Sequence, residues 1–409
     1  MKVVIIGAGP AGVTVAETLR QYDTRSEIVM LSSEPYPPYS PPAMVAYFAT
    51  GQEVHLWKGR DFPERLDIDY RQGTKASGID PQKREVHLAD GGALRYDRLV
   101  IASGGRLYAA RLEEFKPGVY NFKSLSAAEE LLAHVKEGAR TALIIGAGFI
   151  GVEIALLLRD IGLEVTQLVR SRVMRQMLDP ETSEIVLGML KDRGIQVRRG
   201  DDADAVAFVG KPRAEAVEVR SGDVVSADLL IAATGLRPNI EFLEGSGVRT
   251  EWGVLVDDHL RTNDPAVYAV GDVAETFDRF TGERYVHAIF PNAVEQGRVA
   301  AYNLLGRDTV YEGSDTMNSL KHLGLPIIAV GQMTGEELRV RRNGVLRKVY
   351  VEDDRIVGFR LTGDVRTAGI LRSLMNKRAN VGPLKGILLA PGFGMGVISE
   401  MALAAQQLI

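Results

Sequence analysis

Residues 2–12, KVVIIGAGPAG, decide the fold of this chain, because an apolar strand runs directly into three glycines. A helical pattern follows over residues 13–19. In such a unit the first glycine makes a tight turn, the second admits a pyrophosphate close to the backbone, and the third lets helix and strand pack closely. The pyrophosphate is expected at the helix N-terminus, where free N–H groups favour negative charge. The predicted cofactor-binding residues of this first unit are Gly7, Gly9, Pro10, Ala11 and Gly12.

The same pattern returns over residues 141–151, TALIIGAGFIG, with a helical pattern over residues 152–159. Each unit has a further apolar strand after its helix, at residues 28–31 and 165–169, so we expect parallel sheets with right-handed crossovers. One glycine loop is weak evidence for a nucleotide site, but two loops in the strand-to-helix context are strong evidence. The predicted binding residues of the second unit are Gly146, Gly148, Phe149, Ile150 and Gly151.

The ends of the second strands differ between the two units. An acidic residue that binds the adenosine ribose is expected there. In the first unit the only acid in the sequence SSE at residues 32–34 is Glu34. The second unit has no acid at this point and carries Arg170 and Arg172, which could bind a 2′-phosphate and would favour NADP(H). Solvated arginines that follow a strand are the alternative interpretation.

Length and composition indicate a globular protein of several domains. The chain has 409 residues, too many for one core, so two or three domains are expected. The net charge of −4 gives no indication of nucleic acid or an anionic membrane as a partner. Residues 1–6 are too short for a signal peptide, and no apolar run approaches the ~20 residues of a membrane span. A cytoplasmic protein is therefore expected.

The sequence contains no cysteine, and this limits the chemistry of the chain. Disulfides, thiolate nucleophiles, cysteine-ligated zinc and in-chain iron–sulfur clusters are excluded. The six histidines do not fall at metal-ligand spacing, so no metal site is predicted. Any redox chemistry therefore has to be carried by a bound cofactor.

The last hundred residues follow a different pattern. Residues 327–331, 347–352 and 355–361 predict antiparallel strands, with turns at residues 343–344 and 353–354. Helices are predicted over residues 368–375 and 397–408, so we assign an α+β domain from about Tyr311. The apolar segment 395–409 is expected to pack on its own domain, or to contact a partner subunit or a second copy.

Three further segments carry a family resemblance. Residues 96–104, YDRLVIASG, and 227–239, ADLLIAATGLRPN, are apolar strands that enter small-residue turns, and residues 267–272, VYAVGD, form a strand that ends in Gly-Asp. Gly271 permits close approach, and the Asp272 carboxylate can accept hydrogen bonds from sugar-type hydroxyls. Together with the glycine loops, these segments resemble the pyridine nucleotide–disulfide oxidoreductase superfamily over roughly residues 1 to 400.

The resemblance implies an α/β fold with two Rossmann-like, three-layer dinucleotide-binding domains and a C-terminal α+β interface domain. The first glycine loop would then hold FAD and the second a nicotinamide dinucleotide. The implied domain boundaries are residues 1–112 and 236–310 for the two parts of the FAD-binding domain, 113–235 for the NAD(P)-binding domain and 311–409 for the interface domain.

The resemblance also implies roles for individual residues. Asp272 would reach the ribityl chain of FAD, and Glu153 would lie near nicotinamide and flavin as the catalytic residue; a glutamate favoured by the helix dipole is the alternative for Glu153. Pro42 takes the place of a redox cysteine, in a loop that either shapes the flavin wall or is merely a rigid surface loop. The other implied contacts are the interdomain turns at Ala102, Ser103, Gly104, Thr234 and Gly235, and the start of a flavin-edge helix at Asn292 and Ala293.

Without a thiol, electrons are expected to leave directly from the flavin. We therefore expect an FAD-dependent NAD(P)H oxidoreductase that exchanges electrons with an iron–sulfur protein or subunit. With no cysteine and with the loop YPPYSP at residues 36–41, the chain most resembles FAD subunits of multi-subunit 2-oxoacid or tungsten aldehyde oxidoreductases, of the phenylglyoxylate dehydrogenase type. This resemblance favours NAD(H) over NADP(H). The alternatives are a stand-alone ferredoxin or rubredoxin reductase, for example as a homodimer, a peroxide-forming NAD(P)H oxidase, and a flavoprotein that serves mainly as a scaffold.

Overall fold

The computed structural model describes residues 1–108, 112, 117–320, 324–394 and 396. Within these residues the chain forms eight α-helices and 26 strands. The α-helices are α1 (Pro10–Tyr22), α2 (Met44–Thr50), α3 (Phe62–Arg65), α4 (Leu125–Lys136), α5 (Phe149–Asp160), α6 (Pro180–Asp192), α7 (Phe290–Leu304) and α8 (Ala368–Asn376). Short 3-10 helices cover Pro41–Ala43, Val54–Trp57, Gly200–Ala203, Glu241–Leu243 and Gly382–Leu384.

The strands are numbered in chain order. Those before α6 are β1 (Lys2–Ile6), β2 (Glu27–Leu31), β3 (Asp69–Arg71), β4 (Ala76–Asp80), β5 (Glu85–Leu88), β6 (Ala93–Arg95), β7 (Arg98–Ile101), β8 (Gly105–Tyr108), β9 (Val119–Tyr120), β10 (Thr141–Ile145) and β11 (Glu164–Val169). The next are β12 (Gln196–Arg199), β13 (Ala205–Val209), β14 (Ala216–Val219), β15 (Val224–Ser226), β16 (Leu229–Ala232), β17 (Gly235–Pro238), β18 (Val254–Leu255), β19 (Val267–Ala269), β20 (Ala274–Phe277) and β21 (Arg284–Tyr285). The last are β22 (Asn318–Leu320), β23 (Ile327–Gly331), β24 (Glu336–Arg342), β25 (Val345–Glu352) and β26 (Arg355–Thr362).

The first glycine loop belongs to a five-stranded parallel sheet in the order β19-β7-β1-β2-β3. Val3, Val4 and Ile5 of β1 are completely buried, as expected for a central parallel strand that is covered on both faces. Pro10 opens α1 at a helix start where its missing N–H and fixed φ are favourable. The first predicted strand–helix–strand unit is confirmed.

The second glycine loop belongs to a separate five-stranded parallel sheet in the order β12-β11-β10-β16-β9. Leu143 and Ile144 of the central strand β10 are completely buried. The cap of α4 is the Ser124 hydroxyl, which accepts a hydrogen bond from the N–H of Ala127. The second predicted unit is also confirmed, and with it the α/β fold with two Rossmann-like units.

The two sheets are joined by a ribbon of two antiparallel strands, β8 and β17. Ser103 Oγ donates to the carbonyl of Asn239 at 2.8 Å, and the N–H of Asn239 donates to the carbonyl of Gly104 at 2.9 Å. The predicted turn at residues 102–104 therefore lies beside Asn239 at one end of the ribbon. The turn at residues 234–235 lies at the other end, where the N–H of Thr234 donates to the carbonyl of Tyr108 at 3.2 Å.

The C-terminal part is an antiparallel sheet in the order β22-β23-β26-β25-β24, covered on one face by α8. Asn343 and Gly344 turn between β24 and β25, and Asp353 and Asp354 turn between β25 and β26, all with positive φ. Two-residue turns of this conformation match the twist of hairpin strands. The predicted α+β character, both turns and the helix after β26 are confirmed.

The sequence analysis did not predict the edge strand β24, because EELRVRR has only two apolar residues, Leu338 and Val340. The strand is mostly exposed. The predicted helix at residues 397–408 lies outside the described residues, and so does nearly all of the apolar segment 395–409. The domain boundaries at residues 112, 235 and 310 remain a proposal.

Candidate functional site: two glycine loops and their surroundings

The first glycine loop is closely packed on its inner side and open on its outer side. Gly7 has a φ of +116°, and a β-carbon added to it would lie 2.1 Å from the carbonyl oxygen of Ala102. A β-carbon added to Gly12 would lie 2.1 Å from the carbonyl oxygen of Gly7. At Gly9, by contrast, a β-carbon would meet no protein atom within 4 Å. The loop therefore leaves backbone accessible at Gly9, as the approach of a pyrophosphate requires.

Three predicted segments converge beside this loop. A β-carbon added to Gly271 would lie 2.9 Å from Cβ of Ala11 and 3.8 Å from Cβ of Ala293. The N–H of Gly271 donates to Oε1 of the buried Gln296 in α7 at 2.7 Å. The start of α1, the Gly-Asp turn and the first turn of α7 thus form one side of a single site.

Asp272 is paired with a residue that sequence reasoning missed. Lys123 Nζ lies 2.9 Å from Oδ2 of Asp272, and the two side chains are 22% and 17% exposed. Lys123 precedes Ser124, the cap of α4, so a residue next to the second sheet reaches the Gly-Asp turn of the first. Nothing in the spacing of the sequence links these two residues, which are brought together only by the packing of the two units.

The second glycine loop repeats the geometry of the first. Gly146 has a φ of +109°, and a β-carbon on it would lie 2.4 Å from the carbonyl oxygen of Ala233. A β-carbon on Gly148 would meet no protein atom within 4 Å. Phe149 and Ile150 form the partly buried first turn of α5. This loop too is packed inside and open outside, which fits a second dinucleotide.

Glu153 is the fifth residue of α5, one turn further into the helix than the sequence indicated. Its side chain is partly buried, and burial raises the pKa of its carboxyl from 4.5 to about 7. A carboxyl that changes charge near neutral pH, on the helix that follows a nucleotide loop, is a candidate functional group. The proximity of Glu153 to a nicotinamide remains a prediction.

The Glu34 carboxylate is hydrogen-bonded to other residues of the protein. One carboxylate oxygen, Oε1, accepts from both the N–H and the hydroxyl of Ser126, each at 2.9 Å, and Oε2 accepts from the hydroxyl of Tyr39 at 2.7 Å. These bonds tie the end of the first unit's second strand to the start of α4. The predicted contact of Glu34 with a ribose therefore has to compete with three internal donors.

Asn292 and Arg172 also have internal partners. The Asn292 side chain is buried; its Nδ2 donates to the carbonyl of Asp315 at 2.8 Å, and its Oδ1 accepts from the N–H of Asp315 at 3.1 Å. Arg172 donates to the carbonyls of Arg175 and Leu178, which fixes its own loop. Both side chains therefore have structural roles that residue type alone could not show.

Arg170 and Pro42 are exposed. Arg170 directly follows β11, so its guanidinium is accessible at the place where a 2′-phosphate would be recognised. Pro42 lies in the 3-10 helix Pro41–Ala43. A buried side chain contacts the proline-rich loop before it: Nδ1 of His55 lies 3.1 Å from the carbonyl oxygen of Pro38.

One group of potential metal ligands was not predicted. Ligand atoms of Asp257, Asp258 and His259 lie within 4.8 Å of one another, and the two aspartates are exposed. Hydrogen bonds from His259 to Asp258 and Asp308 raise the pKa of the imidazole. The cluster lies in consecutive residues of a surface turn, and no further observation in the structure indicates an ion there.

The fold and the two loops define an oxidoreductase that uses two dinucleotides. The family model for pyridine nucleotide-disulphide oxidoreductases matches residues 1–297, and the chain belongs to this family. Membership implies that FAD and a nicotinamide dinucleotide are bound. In the described residues, no helix is both long and apolar enough to span a membrane.

Individual proteins with similar sequences or structures give a more specific comparison than the family model. The chain is 32% identical to an NADH oxidase from Methanocaldococcus jannaschii, over 90% of this chain and 89% of the relative. It is 26% identical to subunit epsilon of an NADH-dependent phenylglyoxylate dehydrogenase from Aromatoleum evansii, over 97% and 96% of the two chains. The structure of a covalent putidaredoxin reductase–putidaredoxin complex matches with a TM-score of 0.83 and 26% identity, over 99% of both chains. The predicted resemblance to the phenylglyoxylate dehydrogenase type is confirmed.

Proposed function

We propose that this chain is an FAD-dependent reductase that takes a hydride from NADH and passes the electrons to an iron–sulfur protein or subunit. One observation carries the proposal: a chain without cysteine has two glycine loops with open backbone, one at each of two parallel sheets. No thiol of this chain can receive the electrons, so they have to leave for another molecule.

Residues of the first unit fit FAD. The open backbone at Gly9 and the N-terminus of α1 would bind its pyrophosphate. The Lys123–Asp272 pair lies beside the start of α7 and would bind the ribityl hydroxyls through the carboxylate. FAD, when bound, can accept a hydride and release electrons singly. The side chains of this unit therefore need only bind, orient and exclude water.

The residues of the second unit would hold the nicotinamide dinucleotide in the same way, at Gly148 and the N-terminus of α5. We propose NADH as the preferred form, because two relatives are named for NADH. The exposed Arg170 is the one observation that favours NADPH. Anaerobic titration of the purified flavoprotein with each nucleotide, followed at the flavin absorption band, decides between the two forms; faster bleaching by NADPH contradicts the NADH preference.

The proposal of an iron–sulfur partner is supported by relatives whose names include putidaredoxin reductase and a phenylglyoxylate dehydrogenase subunit. Mild purification from the source with mass spectrometry of co-eluting proteins tests it. Co-eluting iron–sulfur subunits support a subunit of a larger complex. A clean homodimer that reduces added ferredoxin or rubredoxin supports a stand-alone reductase. An NADH-reduced protein that transfers electrons to no such carrier contradicts the proposal.

A second candidate function is a peroxide-forming NADH oxidase, favoured by the Methanocaldococcus jannaschii relative, which is named an NADH oxidase. Steady NADH-dependent oxygen uptake by the isolated protein, with stoichiometric peroxide and faster than any carrier reaction, would establish it. We also propose a cytoplasmic location, where reduced nicotinamide nucleotides are available; fractionation of the source cells tests this.

A further inference from the structure

Gln167 is a buried polar residue in the middle of β11 that neither the sequence motifs nor the proposed function uses. Its side chain is completely buried, and Nε2 donates to the carbonyl oxygen of Gly146 at 3.0 Å. Its Oε1 is buried without a hydrogen-bond partner among the described residues. An unpaired buried amide oxygen is unfavourable, so its retention here requires an explanation.

The first glycine loop offers an internal reference for this contact. Register pairs Ile5 with Met30 in the first unit, and Ile144 with Gln167 in the second, so Met30 occupies the position of Gln167. Methionine has no hydrogen to donate to a carbonyl. The hydrogen bond to the loop is therefore a property of the second unit alone.

The position of the loop carbonyl differs accordingly. The carbonyl oxygen of Gly146 lies 2.8 Å from an ideal β-carbon on Gly151, whereas the carbonyl oxygen of Gly7 lies 2.1 Å from one on Gly12. The loop carbonyl of the second unit thus stands further from the third glycine than that of the first unit. Gln167 is the side chain that bonds this carbonyl in the second unit, where the first unit has Met30.

The contact has a consequence for the outer face of the loop. Because the peptide unit is planar and trans, its C=O and N–H point in opposite directions. A Gly146 carbonyl held inward by Gln167 therefore fixes the N–H of Ala147 outward. We propose that Gln167 is a positioning residue for the nicotinamide dinucleotide, which it serves by orienting this N–H toward the pyrophosphate.

The inference rests on the proposed assignment of the second loop to the nicotinamide dinucleotide. The holoprotein is compared with Gln167→Met, which introduces the side chain of the first unit, and with Met30→Leu as a matched control in the first sheet. Calorimetry measures the affinity for NADH and for ADP-ribose, which lacks the nicotinamide. FAD per chain, the melting temperature and the anaerobic rate of flavin reduction at saturating NADH are measured alongside.

In Gln167→Met, we expect both ligands to bind about three- to tenfold more weakly, as for the loss of one hydrogen bond. The FAD content and the saturated rate should be unchanged. The melting temperature should be nearly unchanged, because the variant removes the unpaired Oε1 but also leaves the Gly146 carbonyl without its donor. A residue with a purely structural role would lower affinity and stability together. Met30→Leu should leave both affinities unchanged.

Unchanged affinities in Gln167→Met overturn the inference, and so does a loss of NADH affinity with normal ADP-ribose affinity, since that would place the effect at the nicotinamide. Loss of FAD or a lower melting temperature in this variant also overturns it. Failure of the proposed function gives a different result, because the wild-type protein itself would then bind neither ligand.

Discussion

The two glycine loops have the same backbone but different surroundings. Gly9 and Gly148, the caps of α1 and α5, have φ values of −75° and −73° and the same ψ of −177°. Both are open to solvent, and both loops press their first glycine against the carbonyl of a neighbouring turn. The sequence repeat therefore reproduces one local structure twice.

The difference lies in the side chains around the loops. In the first unit Thr14 donates to the carbonyl of Pro10 in its own helix at 2.7 Å, and Met30 of β2 is paired with Ile5 of β1. The corresponding residues of the second unit are Glu153, with its raised pKa, and Gln167. A permanently bound FAD needs only a rigid site, whereas a nicotinamide dinucleotide has to bind and leave in every turnover. At these two matched positions, the ionisable carboxyl and the donor to the loop carbonyl are found in the second unit, the one proposed to bind the exchanging nucleotide.

The largest expected effect comes from filling the open side of each loop. Gly9→Ala and Gly148→Ala meet no protein atom, and their φ values suit alanine, so both variants should fold. The added methyl occupies the space of the pyrophosphate, and we expect about 100-fold weaker binding of the corresponding ligand. Gly9→Ala should elute without FAD, and Gly148→Ala should retain FAD that NADH no longer reduces.

Loss of FAD in Gly148→Ala and its retention in Gly9→Ala would contradict the assignment of FAD to the first loop. FAD content is read from the absorption spectrum after gel filtration, and reduction from anaerobic stopped-flow traces. Circular dichroism provides the check that both variants are folded.

A substitution of Glu34 tests whether its carboxylate has a structural role or binds the ribose of FAD. Glu34→Ala removes the acceptor of Tyr39 and Ser126, and we expect the free energy of unfolding to fall by about 2 kcal/mol with normal FAD affinity. Urea unfolding and FAD titration measure the two quantities. Normal stability with weakened FAD binding would show instead that the carboxylate binds the ribose, as the sequence indicated.

Glu153 should make the second unit sensitive to pH. Its carboxyl has a pKa of about 7, so it gains its charge as pH rises from 6 to 8. A negative charge favours the positive nicotinamide ring that forms when NADH gives up its hydride. We expect flavin reduction by saturating NADH to become about three- to tenfold faster over this range. The rate should not depend on pH in Glu153→Gln. If the variant keeps the pH dependence of the wild type, another group is responsible for it.

Stability provides the control for the charge state of Glu153. A carboxyl whose pKa is raised on folding favours the folded state below its unfolded pKa of 4.5, and this contribution is lost as pH rises through about 7. Glu153→Gln should therefore melt about 2 to 4 °C above the wild type at pH 8 and at nearly the same temperature at pH 5. A variant less stable than the wild type at pH 8 would contradict the raised pKa.

The smallest effect is expected at Arg170, the exposed residue after β11. Arg170→Ala should raise KM for NADPH about two- to fivefold and leave KM for NADH unchanged, because only NADPH carries a 2′-phosphate and exposed charge contacts are weak. Arg172→Ala is the control variant, because it removes hydrogen bonds within its own loop. It should lower stability without changing the ratio of KM for NADPH to KM for NADH. Equal changes for both nucleotides would remove Arg170 from cofactor selection.

Sequence reasoning predicted the elements whose pattern is local. The glycine loops, the apolar strands before them and the turns at Asn343-Gly344 and Asp353-Asp354 follow from neighbouring residues and from the conformations that these residues favour. The partners of Lys123, Glu34 and Gln167 were not predicted, because each depends on the packing of distant segments. A buried glutamine within an apolar strand, or a lysine before a helix cap, looks ordinary in a single sequence.

The ribbon of β8 and β17 has a topological consequence. The chain leaves the first sheet at Gly104 and returns at Asn239, and these two residues share a hydrogen bond of 2.9 Å. The second unit is thus a closed excursion of the backbone whose two ends touch. Cutting it out would leave a gap that a short turn can bridge, with little added entropy of loop closure. In evolutionary terms, the second unit has the connectivity of a module that can be inserted into an FAD-binding fold without interrupting its sheet.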